Sequence, residues 1–382
     1  MRNRRIGILT FHRALNYGAV LQAYALQQAI SALDPALEVK IVDYRCPAIE
    51  KTRELGQAGY RRGLLLGTAI HWFHHPLQAR RRQHFEAFLR DHCSLSAPLD
   101  REELDTLNEG FDVLVSGSDQ VWNPALTHGD PSFFLDFAWP SLGRVAYAAS
   151  YGVTALKSSQ RAFTARHLAS FSNDRACLSV REKSGADIVE DLIGRRPSVV
   201  LDPTLLLTQA DWAKLSVHSP KEGQRPYVLI YNMVPTDHLI GFARTLARRT
   251  GCVLRLIGHG LRHPDIPHVR LPTPTEFIGL FQNAAYVVAN SFHGISFALN
   301  FERPLFTEMT DATGKPNTRV RNLLEIAGLE NRSLDEQGRF VGGVDATSRT
   351  NIDWASVRER LSAERARSLD FLRTALLGVG DR

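Results

Sequence analysis

The sequence predicts an α/β fold of two doubly wound domains, each built on a largely parallel β-sheet with helices on both faces. Short apolar runs alternate with segments of helical periodicity along most of the chain, which is the pattern of such sheets. The length of 382 residues also exceeds the ~250–300 residues at which one hydrophobic core usually divides. A hydrophobic content of 44% and a charged content of 23% are those of an ordinary globular protein.

The first domain is expected over residues 1–215 and begins with a strand, a helix and a second strand. Its further strands are also short and apolar, which is typical of strands buried on both faces of a parallel sheet. The predicted strands lie at 5–10, 39–43, 111–115, 145–149, 177–180 and 199–201, and the predicted helices at 18–33 and 182–193.

A polar segment with two prolines and one glycine, residues 216–226, is predicted to link the domains. The second domain is expected over 225–345 and repeats the same alternation. Residues 350–382 have a mostly helical pattern and are candidates for packing back on the first domain. The predicted strands of the second domain lie at 227–231, 253–257, 286–289 and 304–307, and its predicted helices at 237–249, 275–283, 294–300 and 318–327.

Composition excludes several classes of protein. The four cysteines lie singly, without the spacing of a zinc site, so we expect reduced thiols, no metal and no cofactor. The longest apolar run after the first strand, residues 63–73, is shorter than the ~20 residues of a membrane span. The net charge of +6 comes without a nucleic-acid-binding motif, so we expect no nucleic acid as partner, and the expected reduced thiols indicate a cytoplasmic protein.

The densest positive charge lies in a basic insertion of the first domain, residues 53–92. Its clustered arginines are Arg61, Arg62, Arg80, Arg81 and Arg82. Such a run is typical of a solvated helical face. The alternative is a patch that contacts an acidic glycan, or anionic lipid headgroups at the inner membrane face.

Residues 284–306 carry the most informative site pattern. A buried strand is followed by Asn290, Ser291 and His293 on a tight loop, and Gly294 opens the next helix. The positive end of that helix suits a phosphate or carboxylate, and a histidine there can bind an anion or move a proton near neutral pH. The alternative is a histidine in a structural or sugar-binding turn.

Two further segments offer positive charge. Arg181 directly follows the predicted strand 177–180, where its guanidinium could bind a carboxylate or phosphate, or form a structural ion pair with a glutamate at the start of the next helix. Lys315 lies in a loop before a helix that carries Arg319. Lys315 could add a second positive charge for a trianionic substrate, or it is a surface lysine.

The loop after the third predicted strand consists of Ser116, Gly117, Ser118 and Asp119, and its small residues allow close backbone approach. Asp119 is suited to bind a sugar hydroxyl, to act as a base or to cap a helix. Trp122 could stack on a sugar ring, although core packing is the usual role of tryptophan.

The first strand-to-helix turn, with Asn16 and Gly18, is in the usual place for a ligand cradle. It lacks GxGxxG, and the chain lacks GxxxxGK[ST], so neither a dinucleotide nor a P-loop nucleotide is indicated.

Together these segments resemble the polysaccharide pyruvyl transferase family over roughly residues 5–330. The matching features follow family order: NYGAVLQAYAL, SGSDQVWN, YAASYG, SVRE, VLDPT, NSFHG and KPNTRVRNLLE. The predicted architecture, two Rossmann-like domains facing a cleft, resembles the B-type glycosyltransferase fold. The family resemblance implies that phosphoenolpyruvate, as the donor substrate, binds in that cleft.

By this resemblance, Arg181 holds phosphoenolpyruvate, while His293 binds it and transfers a proton. Several enzymes of the family carry Arg-Leu-His where this chain has Ser291 two residues before His293, so one guanidinium is missing. Lys315 and Arg319 are candidates to replace its charge. The predicted donor set is Arg181, Asn290, Ser291, His293, Gly294, Lys315 and Arg319, and the predicted acceptor set is Asn16, Gly18, Ser116, Gly117, Ser118, Asp119 and Trp122.

The resemblance therefore predicts a transferase that moves the enolpyruvyl group of phosphoenolpyruvate onto sugar hydroxyls and forms a pyruvate ketal. The acceptor is expected to be a cell-surface or exopolysaccharide glycan, or its lipid-linked precursor; the oligomeric state is open. One alternative is a nucleotide-sugar-dependent glycosyltransferase of the same fold, for which Glu276 and Glu308 are candidate carboxylates. The other is a non-catalytic glycan-binding relative, which the missing guanidinium suggests.

Overall fold

The computed structural model describes residues 3–50, 64–217, 225–233, 236–258, 263–309, 317–335, 339–340 and 352–378, and of 64–75 the backbone alone. By its contacts the chain divides into two compact units, residues 1–206 with 366–382, and residues 207–365. The segment predicted to be a linker, 216–226, therefore belongs to the second unit, and its residues 218–224 lie outside the described residues.

The first unit contains a six-stranded sheet whose described pairings are all parallel. Its strands are β1 (Arg4–Leu9), β2 (Leu37–Ile41), β3 (Val113–Ser116), β4 (Gly143–Ala149), β5 (Ala176–Val180) and β6 (Ser198–Val199). Their order is β2-β1-β3-β4-β5-β6. The central strands β3 and β4 are buried along their whole length, because helices cover both faces of a parallel sheet.

The helices of the first unit follow its strands in the doubly wound manner. They are α1 (Tyr17–Ser31), α2 (Leu64–His92), α3 (Leu107–Gly110), α4 (Pro124–Thr127), α5 (Ser158–Leu168) and α6 (Lys183–Ile193). The end of the chain's last helix also belongs to this unit. There the Leu201 amide donates to Ser368 Oγ at 3.0 Å, and the rings of Tyr147 and Phe371 lie 6.2 Å apart.

The second unit contains a five-stranded sheet, which is also parallel in its described pairings. Its strands are β7 (Tyr227–Asn232), β8 (Val253–Gly258), β9 (Tyr286–Ala289), β10 (Leu305–Glu308) and β11 (Ser333–Leu334), in the order β11-β10-β9-β7-β8. Its helices are α7 (Gln209–Leu215), α8 (Asp237–Thr250), α9 (Pro274–Gln282), α10 (Phe292–Asn300), α11 (Thr318–Ala327) and the first half of α12 (Trp354–Leu377), whose residues from 366 on belong to the first unit.

The predicted fold class, α/β with two doubly wound sheets, is confirmed. In each sheet the chain places its second strand on one side of the first strand and its third strand on the other. The order therefore reverses between β1 and β3 in the first unit and between β7 and β9 in the second. Ligands of open parallel sheets bind beyond the carboxyl ends of the strands at such reversal points.

Candidate active site

Three polar residues form a row at the carboxyl edge of the second unit's sheet. Tyr231 and Thr307 both pair with Ala289, so Asn232, Asn290 and Glu308 are the next residues in register on neighbouring strands. Asn290 Nδ2 donates to Asn232 Oδ1 at 3.0 Å, and the Met233 amide donates to Asn290 Oδ1 at 3.0 Å. The row therefore crosses the point where the strand order reverses.

Asn232 is the most deeply buried residue of this row, with no exposed surface. Its Oδ1 accepts from Asn290, whereas its Nδ2 has no hydrogen-bond partner in the part of the chain that the structure describes. Leaving a buried donor unpaired costs about 1–3 kcal/mol, so native structures usually supply a partner. The Nδ2 group is therefore a candidate to bind a ligand oxygen.

Glu308 is the third residue of the row, and its carboxyl group is hydrogen-bonded to several other residues. Thr236 Oγ1 donates to Glu308 Oε2 at 2.6 Å, and the carboxyl group also accepts from the Leu239 amide at the start of α8 and from Asn290. Burial raises the pKa of Glu308, and these hydrogen bonds together with the nearby His238 oppose that rise without reversing it. The site thus holds a carboxyl group that takes up a proton more readily than an exposed one.

The N-terminus of α10 follows Asn290 directly. Ser291 occupies the N-cap position in extended conformation, and its side chain makes no capping hydrogen bond to the described first turn. His293 is a buried first-turn residue, its ring centroid 5.3 Å from that of Phe292. A Cβ on Gly294 would lie 2.9 Å from both Ala289 and Tyr231, so glycine lets the helix approach the strands closely.

The structure therefore brings together four members of the predicted donor set, Asn290, Ser291, His293 and Gly294, at the positive end of one helix. Arg319 lies half-buried in the first turn of α11, and its role in donor binding stays a prediction. Lys315 lies outside the described residues. Glu276 forms a capping box with Thr273 at the start of α9, so its role there is structural.

Arg181, the remaining member of the donor set, lies in the first unit at the centre of three carboxylates. Its Nη1 is 2.9 Å from Asp202, its Nη2 3.4 Å from Asp119 and its Nε 3.8 Å from Glu182. Burial would lower the pKa of Arg181, but the three carboxylates raise it above its ordinary value. The side chain is 1% exposed, and acidic groups outnumber it locally, which disfavours contact with an anion.

This geometry corresponds to the structural alternative for Arg181, an ion pair at the start of the next helix, and argues against direct binding of phosphoenolpyruvate. Its partner Asp202 accepts from Ser118 Oγ at 3.2 Å and from the amide and hydroxyl of Thr204 at 3.0 and 2.7 Å. Its partner Glu182 accepts from Ser150 Oγ at 2.7 Å. Four motifs that carry the family resemblance, SGSDQVWN, YAASYG, SVRE and VLDPT, thus meet in one buried network.

Most of the predicted acceptor loop lies inside the first unit rather than on its surface. Ser116 Oγ donates to the carbonyl oxygen of Phe133, and Ser118 Oγ donates to that of Ala148. A Cβ on Gly117 would collide with the carbonyl oxygen of Tyr147. Ser116 and Ser118 have no exposed surface and their hydroxyls already have acceptors within the first unit, which argues against direct contact of these hydroxyls with a sugar.

Trp122 is likewise a core residue. It is stacked on Phe134 with ring centroids 5.2 Å apart, and its Nε1 donates to the Phe133 carbonyl oxygen at 3.1 Å. With 1% of its surface exposed, it cannot stack on a sugar ring, so the core-packing alternative is correct.

Asn16, Gly18 and Asp119 complete the acceptor set. Asn16 Oδ1 accepts from the amides of Gly18 and Ala19 at 2.9 and 3.3 Å, so this turn caps α1 with its own side chain. The Asp119 side chain is 12% exposed, whereas those of its network partners Arg181, Glu182 and Asp202 are at most 1% exposed. The backbone of Asp119 has a left-handed φ of 71°. Asp119 is therefore the member of this network best placed to reach a ligand.

Reasoning from the sequence did not connect Asn232 or Thr236 with a site and considered Glu308 only for nucleotide-sugar transfer. The available signal was position, because Asn232 and Glu308 each end an otherwise mainly apolar strand. Within the described part of the chain, no group of three or more His, Cys, Asp or Glu residues could hold a metal ion. Among the helices described, none is long and apolar enough to cross a membrane.

The two sheets and the polar row at the second reversal point define an α/β protein with a candidate ligand site at a strand edge. The chain belongs to the polysaccharide pyruvyl transferase family, whose sequence model matches residues 16–307. It is therefore a transferase of a family that modifies polysaccharides. No curated protein sequence matches the chain.

Solved structures that are similar to this chain are distant in sequence. A UDP-GlcNAc 2-epimerase from Neisseria meningitidis is 10% identical, with a TM-score of 0.49 over 97% of this chain and 94% of that one. A mutant O-GlcNAc transferase from Thermobaculum terrenum is 16% identical, with a TM-score of 0.45 over 99% and 69%. The E. coli ADP-heptose heptosyltransferase II is 13% identical, with a TM-score of 0.36 over 95% and 99%.

Proposed function

We propose that this protein transfers the enolpyruvyl group of phosphoenolpyruvate onto two hydroxyls of a glycan and forms a pyruvate ketal. The observation that carries the proposal is the row of Asn232, Asn290 and Glu308 beside the N-terminus of α10. Family membership supplies the reaction class, and Asn232 Nδ2 together with the first-turn amides of α10 supplies groups suited to the donor. We assign the donor site to the second unit.

Recognition of phosphoenolpyruvate requires hydrogen-bond donors for a phosphate and a carboxylate. The first-turn amides of α10 and the helix dipole favour one anionic group. The buried Nδ2 of Asn232 pairs with a second anionic oxygen, which removes the penalty of an unpaired donor. Amide and helix-end donors bind an anion without a guanidinium, so Ser291 in place of the family arginine is compatible with this donor.

The reaction needs one group that exchanges a proton near neutral pH. A proton adds to the methylene carbon of phosphoenolpyruvate, and a sugar hydroxyl oxygen bonds to the neighbouring carbon and loses its proton. A second hydroxyl oxygen then bonds to that carbon, phosphate leaves and takes up the proton of this hydroxyl, and the ketal ring is closed. His293 is the proposed proton donor to the methylene, because it lies in the first turn of the anion-binding helix.

In the first unit, we assign acceptor contact to Asp119 and a positioning role to Arg181. The partly exposed carboxylate of Asp119 suits a sugar hydroxyl, and Arg181 holds it from the buried side at 3.4 Å. Replacement of Arg181 by lysine keeps the charge but loses the planar fork that reaches several carboxylates at once. Arg181→Lys is therefore expected to raise the KM for the glycan more than the Kd for phosphoenolpyruvate.

The proposal is tested by calorimetric titration of phosphoenolpyruvate into the wild-type protein, His293→Ala and Asn232→Leu. The matched control is Arg248→Ala, because Arg248 lies on the last turn of α8, away from the carboxyl edge. We expect saturable binding to the wild type and the control, and binding weakened at least about tenfold in both site variants, which is 1.4 kcal/mol or more. Thermal unfolding establishes that each variant is folded.

A second readout is phosphate release that depends on added glycan, which we expect to be lost in His293→Ala. Failure of the wild type to bind phosphoenolpyruvate at millimolar concentration would refute the proposal. So would equal binding by all four proteins, because the donor would then bind elsewhere.

One observation favours a second candidate, nucleotide-sugar transfer. Glu308 ends β10 at the carboxyl edge, where a carboxylate is suited to bind ribose hydroxyls. Stabilisation of the protein against heat by uridine or guanosine diphosphate, lost in Glu308→Gln, would support this candidate. The raised pKa and the three hydrogen bonds of Glu308 fit a carboxyl group engaged within the protein, so we favour pyruvyl transfer.

A further inference from the structure

A cavity of about 540 Å³ opens on the first unit beside the end of α2. Its wall includes Arg13, Arg45, Arg90, Glu86 and Cys93. Its charged wall residues are three arginines and one glutamate, an excess of two positive charges. None of these residues belongs to the donor site or to the Arg181 network described above.

The cavity lies on the carboxyl side of the first sheet. Arg13 follows β1 and Arg45 follows β2, and the segment 94–99 runs beside the end of β2. There the Ile41 amide donates to Ser94 O at 2.9 Å and the Arg45 amide to Leu99 O at 2.9 Å. This is the edge at which parallel sheets bind ligands.

A buried carboxylate, Asp43, fixes the positive groups of the cavity. Arg13 Nε donates to Asp43 Oδ1 at 2.6 Å, His12 Nε2 lies 3.1 Å from the same oxygen, and Arg45 Nη2 lies 3.5 Å from Oδ2. Burial would raise the pKa of Asp43, but the bonds and charges of His12 and Arg13 hold it well below its usual range. Asp43 is therefore ionised and keeps these cations in place.

His12 contacts the same carboxylate. Its Nδ1 lies 3.1 Å from the Thr10 carbonyl oxygen, and its Nε2 lies 3.1 Å from Asp43 Oδ1. The guanidinium groups of Arg13 and Arg45 also contact Asp43, so side chains of three residues surround this carboxylate.

Arg45 carries the part of this charge that is available to a ligand. Its side chain is 38% exposed, and its described side-chain contact is the one to Asp43 at 3.5 Å. The Nε–H of Arg45 is buried and has no hydrogen-bond partner within the described residues. Arg13 is 12% exposed and holds Asp43 closely, and Arg90 pairs with Asp91 at 2.8 Å on the rim. Of these three arginines, Arg45 thus makes the fewest described hydrogen bonds.

A second arginine-lined cavity, of about 450 Å³, provides a comparison within the same protein. It lies in the second unit at the amino ends of β7 and β8, where Arg225 and Gly251 precede these strands. Its arginines are engaged: Arg244 binds Asp265 at 2.7 Å, and Arg225 donates to the Gly251 carbonyl oxygen at 3.2 Å. Position and pairing both favour the cavity at Arg45 as the ligand site.

A hydrogen-bonded path joins the Arg45 cavity to the proposed acceptor residue. His12 contacts the Thr10 carbonyl oxygen, and Thr10 Oγ1 donates to the Ser118 carbonyl oxygen at 3.2 Å, beside Asp119. We propose that the Arg45 cavity binds a phosphate or diphosphate group of the glycan acceptor. This inference rests on the proposed function for the identity of the acceptor, whereas the anion site itself does not depend on it.

The site is tested with inorganic diphosphate, titrated at low ionic strength into the wild type, Arg45→Ala, Arg45→Lys and the control Arg248→Ala of the other cavity. We expect saturable binding to the wild type and the control, and a Kd at least about tenfold higher for Arg45→Ala, since charge-assisted bonds are lost. Arg45→Lys should be intermediate, because a lysine keeps the charge without the fork. A linear fall of log affinity with log salt concentration is expected for wild type.

Equal diphosphate affinity of the wild type and Arg45→Ala would overturn the proposal, and so would an equal loss in Arg248→Ala. A lipid source of phosphate is distinguished by co-sedimentation with vesicles of phosphatidylglycerol and phosphatidylcholine in equal parts. Loss of vesicle binding in Arg45→Ala with unchanged diphosphate binding would assign the cavity to a membrane surface instead. Diphosphate binding without phosphoenolpyruvate binding would refute the proposed function but would support the anion site at Arg45.

Discussion

The carboxyl edges of the two sheets carry different kinds of side chain. In the first unit the carboxyl edge is charged: Arg181 meets three carboxylates, and Asp43 meets Arg13 and His12. In the second unit the corresponding row consists of two amides and one carboxyl group with a raised pKa. The Arg181 charges are matched within the protein, whereas in the second unit a buried amide donor, Asn232 Nδ2, has no partner among the described residues.

The largest expected effect tests whether the Arg181 network is structural. Asp202 has no exposed side-chain surface and accepts from Arg181, Ser118 and Thr204. Removing Asp202 leaves several buried donors, among them Arg181 Nη1 and the Thr204 amide, without their acceptor, which together costs about 3–5 kcal/mol. We expect Asp202→Ala to lower the free energy of unfolding of the protein by this amount, measured by denaturant titration.

The matched control for Asp202→Ala is Asp187→Ala. Asp187 also pairs with an arginine, Arg196 at 2.9 Å, but the pair is exposed to solvent. Exposed pairs contribute little, so the denaturation midpoint of Asp187→Ala should match that of the wild type. If Asp202→Ala also left the denaturation midpoint unchanged, the Arg181 network would not be structural, and the contrast between the two units would be wrong.

The second expected effect tests whether Trp122 of the first unit is a core residue. Trp122→Phe removes the hydrogen bond to the Phe133 carbonyl oxygen and part of the contact with Phe134. We expect a loss of about 2–3 kcal/mol in the free energy of unfolding. Because the indole is buried, the KM for the glycan acceptor should not change. A large rise in KM with unchanged stability would instead restore Trp122 as a sugar-stacking residue.

Local structure could be predicted from the sequence, whereas contacts between residues that are distant in the sequence could not. Strand and helix periodicity is local, so both doubly wound sheets, and the position of His293 at a helix start, could be predicted. Two of the three partners of Arg181 could not, because Asp119 and Asp202 are distant in sequence and only the parallel register brings them together. The row through Asn232 and Glu308 depends on register in the same way.

A third prediction compares asparagines of the two units. Asn16 caps α1, and its oxygen accepts from Gly18 and Ala19. Replacing a capping asparagine by alanine costs about 1 kcal/mol, so Asn16→Ala should lower the free energy of unfolding by that amount. Its affinity for phosphoenolpyruvate should equal that of the wild type, whereas Asn290→Ala should lose both stability and donor affinity. Calorimetry and thermal unfolding of the two variants, run together, measure both quantities.

The smallest expected effect concerns the pH dependence of the second unit. The pKa of Glu308 is raised in the folded protein, so the folded state holds this proton more tightly than the unfolded chain does. Its contribution to stability is therefore fully present below the ordinary pKa of 4.5 and is lost as the pH rises through the folded pKa.

Glu308→Gln cannot ionise, so its stability curve above pH 4.5 should be flatter than that of the wild type. At neutral pH the loss of a charge-assisted bond from Thr236 and the relief of a buried charge oppose each other, which leaves a net change on the order of 1 kcal/mol. Glu302→Gln, a half-buried partner of Arg358, is the control and should keep the wild-type pH dependence. Parallel curves for the wild type and Glu308→Gln would mean that the second unit's carboxyl group is ordinary, and the chemical difference between the two sheet edges would then rest on Asn232 and Asn290 alone.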